Sequence, residues 1–207
     1  MAPSVVLLFD RAPDPIAGAV AASIDRAALD AAAAHAWYWP EAKEALARAT
    51  HALRIEPRVD APTPIDAALL STKQAAAHAR TALAVLWEQT GLVHDAGAFV
   101  DQAADASRED PPLYLWVHFE GTKGEGGTLG MRTTGMRALG AMEVEVLGST
   151  RDGEQLLECV TDVALFLLTT DRVPDDGETI EVTRGTLRVR RMPSLRGDGT
   201  IALRVRA

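Results

Sequence analysis

Cysteine, aromatic residues and long apolar runs are all scarce in this sequence. Cys159 is the single cysteine among 207 residues, so an internal disulfide is excluded and a reducing cytoplasm is the expected compartment. The longest unbroken apolar run, residues 163–168, is far shorter than the about 20 residues of a membrane span. Residues 1–9 lack the basic start and the apolar length of a secretory leader. We therefore expect a soluble protein that does not insert into membranes.

A concentration of positive charge is also missing. The chain carries 21 Lys and Arg against 29 Asp and Glu, which gives a net charge of −8. The cations are spread along the chain without a basic stripe interleaved with aromatic residues, so anionic polymers would be repelled on average. Nucleic acid is therefore not the expected partner.

The chain nevertheless has enough apolar material for a sizeable core. Hydrophobic residues make up 47% of it, and no internal repeat or low-complexity linker interrupts it. We predict one compact domain over 1–207, with halves at 1–110 and 111–207. The patterns predict strands at 5–9, 51–56, 83–87, 113–119, 142–146, 179–183, 186–190 and 200–206, and helices at 14–34, 41–48, 63–82, 95–106 and 152–170.

The order of these elements predicts an α+β fold. It consists of mixed or antiparallel sheets with packed helices, two βα-type halves and a C-terminal antiparallel hairpin ribbon. A two-residue Arg184-Gly185 loop predicts that Val182 lies opposite Leu187 and Glu181 opposite Arg188. In that register the apolar residues of both strands share one face.

The stretch 111–147 contains the most suggestive polar residues. Alternation over 113–119 predicts a strand with Trp116, His118 and Glu120 on one face, and Glu143 and Glu145 share a face of a second strand. On neighbouring strands, the His and three Glu are candidates for a divalent metal site or an acid-base pair. The alternative is a solvated ladder of ion pairs, with cations supplied by Arg188, Arg190, Arg204 and Arg206.

The ladder is the favoured interpretation. No His-x-His or Cys-x-x-Cys spacing supports a metal, and no Gly-x-Ser-x-Gly turn supports a hydrolase. The glycine-rich segment 121–127 lacks a Gly-Lys-Ser/Thr ending, so a hairpin loop is predicted rather than a phosphate loop. Cys159 lies in the most apolar helix and His51 on an apolar strand face, and both are predicted to be buried. We therefore assign no catalytic residue, metal ligand or cofactor.

Aromatic residues supply the best candidates for binding. They make up only 5% of the chain, yet two tryptophans and a tyrosine are consecutive. Rigid, amphipathic Trp and Tyr side chains are enriched where proteins contact each other. The predicted contact residues are Trp37, Tyr38, Trp39 and Trp116, the last being partly exposed.

Several segments together carry a family resemblance. They are LYLWVHF and TLGMRTTGMRALGAMEVEV, with VLWEQTGLV upstream and DGETI downstream. An LWV strand, a T-x-G-M segment at Thr133–Met136, a following A-L-G and an E-x-E strand resemble the bacterial family of domain of unknown function 4261. The resemblance runs from about Ala82 to Val205, and more loosely includes WPEAKEALARATHALRI. It implies fold boundaries and supplies no catalytic residue or substrate.

The expected function follows from these observations together. We expect a non-catalytic, cytoplasmic bacterial protein that binds another protein, as an accessory or immunity-like module. The alternative is an enzyme or metal-binding protein that uses His118, Glu120, Glu143 and Glu145. The oligomeric state is left open by the sequence.

Overall fold

The computed structural model describes residues 3–56, 61–170 and 172–206. For Arg206 it describes the backbone alone. The chain forms two compact units, Met1–Trp116 and Val117–Ala207. The single compact domain expected over 1–207 stays a prediction.

The first unit is built on a five-stranded sheet. Its strand order is β2-β3-β1-β4-β5, and every neighbouring pair is antiparallel. The central strand is the apolar run at the start of the chain, and all five of its residues are buried. The strands are β1 (Val5–Phe9), β2 (Ala19–Ala21), β3 (His51–Ile55), β4 (Ala84–Trp87) and β5 (Leu92–Asp95), and the helices are α1 (Arg26–His35), α2 (Ala42–Ala47), α3 (Pro64–Ala79), α4 (Ala96–Asp105) and the one-turn α5 (Leu113–Trp116).

Side-chain caps begin α3 and α4 at residues 63 and 95, where the sequence predicted these helices to start. Thr63 caps α3 by accepting from the Asp66 backbone N–H at 3.3 Å, and Asp95 caps α4 by accepting from that of Ala98 at 2.9 Å. Each cap satisfies an N–H group that has no partner inside its own helix.

The helix predicted from Asp14 to Ala34 begins later than expected. Helix α1 starts at Arg26, and its N-cap is Asp25, which accepts from the Ala28 N–H at 3.1 Å. The chain before it turns at Gly18, whose φ of 77° favours glycine, and then forms β2. Pairing with β3 satisfies backbone groups in this segment, and periodicity along the chain carries no information about that pairing.

The strand predicted over 113–119 is also wrong in its first part. Leu113–Trp116 form the helical turn α5, and Trp116 is fully buried. Its indole N–H donates to Thr72 Oγ1 at 2.8 Å, and its ring stacks on Trp87 with centroids 6.0 Å apart. These contacts within the core override the local alternation, so Trp116 is not a surface residue.

The second unit is built on a six-stranded mixed sheet. Its order is β6-β7-β8-β11-β10-β9; β8 and β11 are parallel, and the other described neighbours are antiparallel. The glycine-rich segment joins β6 to β7 as a hairpin, as predicted. The strands are β6 (His118–Lys123), β7 (Leu129–Thr134), β8 (Val144–Ser149), β9 (Thr179–Val182), β10 (Gly185–Pro193) and β11 (Ile201–Arg206), and the helix is α6 (Gly153–Thr169).

Helix α6 begins where the sequence predicted, with Asp152 accepting from the Gln155 N–H at 2.9 Å. Its apolar side is buried and includes Cys159, which is 6% exposed. The two sheets, the packed helices and the C-terminal antiparallel hairpin confirm the predicted α+β fold. No helix in the described part of the chain is long and apolar enough to cross a membrane.

The register of the β9–β10 hairpin differs from the prediction. Leu187 lies opposite Ile180 and Thr186 opposite Glu181, so the turn is Thr183-Arg184 and Gly185 begins β10 with φ 129°. The shift is even, so Ile180 still faces the core and Glu181 remains exposed. In this turn the Arg184 guanidinium reaches the Glu158 carboxylate on α6 at 3.2 Å, a tertiary contact that the loop sequence does not reveal.

Candidate functional site

Acidic and basic side chains alternate across four neighbouring strands of the second unit. Glu120 on β6 lies opposite Arg132 on β7, Arg132 lies opposite Glu145 on β8, and Glu145 lies opposite Arg204 on β11. We call these four residues the Glu-Arg row. Arg132 binds the Glu120 carboxylate through two hydrogen bonds of 2.7 and 2.8 Å, and Arg204 approaches that of Glu145 to 3.1 Å. Each Glu in the row therefore has an Arg on the neighbouring strand.

Glu145 is the buried centre of the Glu-Arg row. It is 1% exposed, so the inner part of the row is not the solvated ladder that was predicted. Besides Arg204, its carboxylate accepts from Ser194 Oγ at 2.9 Å and from the Leu195 N–H at 3.0 Å. A buried carboxylate needs such partners because its desolvation is costly. Glu145 thereby ties the β10–β11 loop to the centre of the sheet.

Glu120 occupies the outer end of the row. Its hydrogen bonds to the Arg132 guanidinium hold the pKa of its carboxyl below its usual value. A carboxylate stabilised in its charged form is a poor general acid at neutral pH. Glu120 is therefore suited to an ion pair and not to proton donation.

Glu143 organises the turn that follows β7. It is 7% exposed and accepts from Thr133 Oγ1 at 2.7 Å and from the N–H groups of Gly135 and Arg137 at 2.9 and 3.4 Å. The Thr133 hydroxyl in turn accepts from the Val144 N–H at 2.8 Å. This network explains the spacing of the T-x-G-M segment and the Glu: the carboxylate caps the turn that the segment forms.

Two glycines bound this turn. Gly135 has a φ of 117° and precedes a short 3₁₀ helix, Met136–Leu139, and Gly140 ends it with a φ of 85°. Side chains other than glycine rarely adopt these angles. Met136 and Leu139 are buried beneath the turn.

A cleft of about 450 Å³ lies beside the same turn. Arg137 donates to the Ile201 carbonyl at 3.2 Å, and Arg191 donates to the Pro174 carbonyl at 2.8 Å. Ile201, at the start of β11, is 47% exposed here. The cleft is therefore basic, but both of its guanidinium groups already bind carbonyl oxygens.

The four polar candidates do not form one metal-binding set. Glu120 and Glu145 pair with arginines, and Glu143 binds a hydroxyl and two backbone N–H groups. His118 lies on β6 opposite Thr134. Within the described residues, no group of three or more His, Cys, Asp or Glu could hold a metal ion.

The consecutive aromatic residues of the first unit differ in exposure. Trp37 is 73% exposed, Tyr38 is 40% exposed, and Trp39 packs against the hydrophobic core. The Tyr38 hydroxyl donates to the Val93 carbonyl at 2.9 Å. The rings of Trp37 and Tyr38 meet edge to face, in a T-shaped arrangement with centroids 5.8 Å apart. Partial burial raises the pKa of Tyr38 to about 12. Trp37 and Tyr38 together form an exposed aromatic pair. Trp116, the fourth predicted contact residue, is buried and is not part of this surface.

His94 packs under Tyr38, and the sequence analysis did not identify it as a candidate residue. It is 4% exposed, stacks on Tyr38 with centroids 5.6 Å apart, and has Nε2 3.3 Å from the Leu115 carbonyl. Burial lowers the pKa of His94 from 6.5 to about 4. The short strand β5 that holds it carried no recognised signal. His51, by contrast, was predicted to be buried and is exposed, with Nδ1 2.9 Å from Thr50 Oγ1.

His94 should make the first unit sensitive to acid. Its folded pKa of about 4 lies below its ordinary 6.5, so the unfolded chain binds more protons between these values. Its contribution to stability is therefore complete above pH 6.5 and is lost as the pH falls towards 4, with about 2 kcal/mol lost between pH 7.5 and 5. All four tryptophans lie in this unit, so urea unfolding followed by Trp fluorescence measures the loss.

The matched control for this prediction is His94→Phe, which keeps an aromatic ring beside Tyr38 and Phe99. We expect the variant to lose less stability between pH 7.5 and 5 than the parent, by about 2 kcal/mol. Equal pH dependence in both proteins would show that His94 does not stay neutral in the folded state.

Cys159, the one thiol of the chain, is buried and poorly suited to act as a nucleophile. Burial raises the pKa of its thiol, which makes the nucleophilic thiolate scarce.

A comparison with known protein families matches part of the chain. Residues 132–203 match the model of the family described as Domain of unknown function (DUF4261), which confirms the resemblance over that segment. The segment includes Arg132, Glu143, Glu145 and the turn between Gly135 and Gly140, whereas Glu120 and the exposed aromatic pair lie outside it. Neither a curated protein nor a solved structure matches the chain.

Proposed function

Residues 132–203 match the model of the domain of unknown function 4261 family, and we propose that the protein is a non-catalytic module that binds another protein. The proposed setting is the cytoplasm of a bacterial cell, in an accessory or immunity-like role. The observation that carries the proposal is the exposed aromatic pair, Trp37 and Tyr38. This pair lies outside the matched segment, so the proposed contact is argued from the structure of this chain.

The pair has the physical properties of an interface anchor. Trp37 exposes 73% of its surface, so contact with a partner would remove a large apolar area from water. Tyr38 is held by its hydrogen bond to Val93 and by stacking on His94. A contact residue supported in this way loses little side-chain entropy when a partner binds.

The polar candidates support a non-catalytic role. Glu120, Glu143 and Glu145 each accept hydrogen bonds from arginine, hydroxyl or backbone groups that hold the sheet and its turns together. A catalytic carboxylate must instead reach a substrate from a concave site. These hydrogen bonds give each of the three carboxylates a structural role in the sheet or its turns.

Replacing Trp37 with alanine should remove most of the binding. Tryptophan anchors commonly contribute at least about 2 kcal/mol to an interface, which corresponds to a roughly 30-fold rise in Kd. The parent protein would first be used as bait to capture the partner from an extract of the cells that encode it. The partner would then be identified by mass spectrometry. Its affinity for each variant would then be measured by calorimetry with purified components.

Leu70→Ala is the matched control, because Leu70 is an apolar residue of the same unit that is 50% exposed. We expect this variant to bind the partner with the parent's affinity. A captured partner that binds Trp37→Ala as tightly as the parent would refute the proposed contact.

A further inference from the structure

The basic cleft of about 450 Å³ lies in the second unit, at the end of the sheet where the parallel strands β8 and β11 begin. One wall comes from the turn between Gly135 and Gly140 and from the two residues that follow it. The other wall comes from β10 and from the first residue of β11. The lining residues are Arg137, Gly140, Ala141, Met142, Arg191 and Ile201.

The register of the sheet places a cation and an apolar residue side by side in this cleft. Arg191 on β10 lies opposite Leu203 on β11, and Ile201 precedes Leu203 by two residues. Residues that are opposite in an antiparallel pair, or two apart along one strand, point to the same face. Arg191 and Ile201 are therefore diagonal neighbours on one face, and Arg137 reaches the Ile201 carbonyl from the turn at 3.2 Å.

Backbone carbonyls position both guanidinium groups without neutralising their charge. Arg191 donates from Nε to the Pro174 carbonyl at 2.8 Å and from Nη2 to that of Val173 at 3.3 Å, whereas Arg137 donates to its carbonyl from Nη2. A guanidinium group has five N–H donors, so these bonds leave the Nη1 group of each arginine for a ligand. Arginine is suited to phosphate because its planar fork matches the spacing of phosphate oxygens.

The six lining residues carry two positive charges and no carboxylate. Asp175, whose carboxylate is 3.6 Å from Arg191 Nη2, has a side chain that is 93% exposed. An ion pair so exposed is screened by water and is weak. Asp176 and Asp198 are also exposed and accept from the backbone N–H groups of Arg191 and Thr200. The cleft is therefore locally positive in a chain whose net charge is −8.

Ile201 gives the cleft an open apolar wall. It is 47% exposed, whereas Leu203 and Val205 on the same strand face are buried. Ala141 and Met142, which also line the cleft, are partly exposed. A ligand in the cleft can therefore cover apolar surface that is in contact with water in the free protein.

We propose that this cleft binds a small phosphate monoester with an apolar body. Its phosphoryl group would lie between Arg137 and Arg191, and its apolar body would lie on Met142 and Ile201. The volume falls within the range of about 300–1,000 Å³ for small-molecule sites, which are mostly apolar with a few placed polar groups. The site is formed by residues of the second unit and is independent of the protein contact proposed in the first.

Three probes with the same aromatic ring and different charges test the proposal: phenyl phosphate, benzoate and phenol. At about pH 8 their charges are close to −2, −1 and 0, since the second pKa of a phosphate monoester is about 6. Methyl NMR signals of Ala141, Met142 and Ile201 report occupancy directly. We expect saturable shifts, with phenyl phosphate binding roughly two- to twentyfold more tightly than phenol, as for two partly exposed ion pairs, and benzoate between them.

A matched pair of arginine variants separates a placed charge from the overall charge of the chain. Arg137→Gln should weaken phenyl phosphate binding roughly two- to fivefold and leave phenol binding unchanged. Arg151→Gln makes the same change in net charge at an exposed residue beyond the far end of β8, about 17 Å from the cleft at about 3.3 Å per residue. We expect Arg151→Gln to bind all three probes as the parent does.

Ile201→Thr tests the apolar wall. It keeps a β-branched side chain in the strand but replaces a hydrocarbon group with a hydroxyl, so all three probes should bind more weakly. Unchanged methyl signals of Val146 and Val163, which are buried in the same unit, show that each variant is folded.

Four results would overturn the proposal, and the first two need only the parent protein. They are the absence of saturable shifts at the cleft methyl groups, and phenol binding as tightly as phenyl phosphate. The others are an Arg137→Gln variant that keeps the parent's preference for phenyl phosphate, and an Arg151→Gln variant that loses as much of it as Arg137→Gln does.

Discussion

Trp116→Ala is expected to destabilise the first unit by about 3–5 kcal/mol, the usual cost of deleting a buried tryptophan side chain. Trp116 is fully buried, stacks on Trp87 and donates to Thr72 Oγ1 at 2.8 Å. Truncation would leave a large void because the surrounding core relaxes only in part. Urea unfolding followed by the fluorescence of the remaining three tryptophans measures the change, since all of them lie in this unit.

Trp116→Phe is the control that isolates the hydrogen bond. It keeps an aromatic ring near Trp87 but removes the indole donor, so we expect a smaller loss than for alanine. Thr72 keeps its own bond to the Ala68 carbonyl at 2.8 Å, which limits the cost of losing the donor. A loss below about 1 kcal/mol for Trp116→Ala is the cost of a surface substitution and would contradict the buried position.

Glu145→Ala is expected to destabilise the second unit by about 3–5 kcal/mol, as when one partner of a buried ion pair is removed. The substitution leaves Arg204, whose side chain is 20% exposed, without its carboxylate. It also removes the acceptor for Ser194 Oγ and for the Leu195 N–H, so the β10–β11 loop loses its link to the sheet. Cys159 is the single cysteine and is buried in this unit, so its rate of thiol labelling across a urea series reports the unfolding.

The double variant Glu145→Leu with Arg204→Met provides the control. It replaces both charges with apolar groups of similar size, so neither charge is left without its partner. We expect the double variant to be more stable than either Glu145→Leu or Arg204→Met alone. Strictly additive losses would mean that Glu145 and Arg204 do not interact in the folded protein.

Local chemistry determined the parts of the fold that the sequence predicted correctly. The Val5–Phe9 run is apolar at every position and became the central strand of its sheet. Three helices begin where they were predicted to, with Thr63, Asp95 and Asp152 as their caps, because a cap depends on residues three positions apart. The apolar face of α6 likewise buried Cys159 as expected.

The candidate site was predicted less well, because burial and pairing depend on residues far apart in the chain. Alternation placed Trp116 on a polar strand face, whereas contacts with Thr72 and Trp87 bury it at the end of a helical turn. Glu145 was one of the polar candidates, but its bonds to Ser194 and Arg204 join segments that only the sheet order brings together.

The sequence by itself therefore determined which residues could begin helices, form apolar strands and carry charge. The α+β class follows from that information, because caps and apolar periodicity act over a few residues. Only the tertiary structure decided the parallel pairing of β8 with β11, which brings Glu145 to Arg204, and the stacking of Tyr38 on the buried His94. These contacts depend on which strands lie side by side, and the free energy that selects them comes from burial and hydrogen bonding across the whole unit.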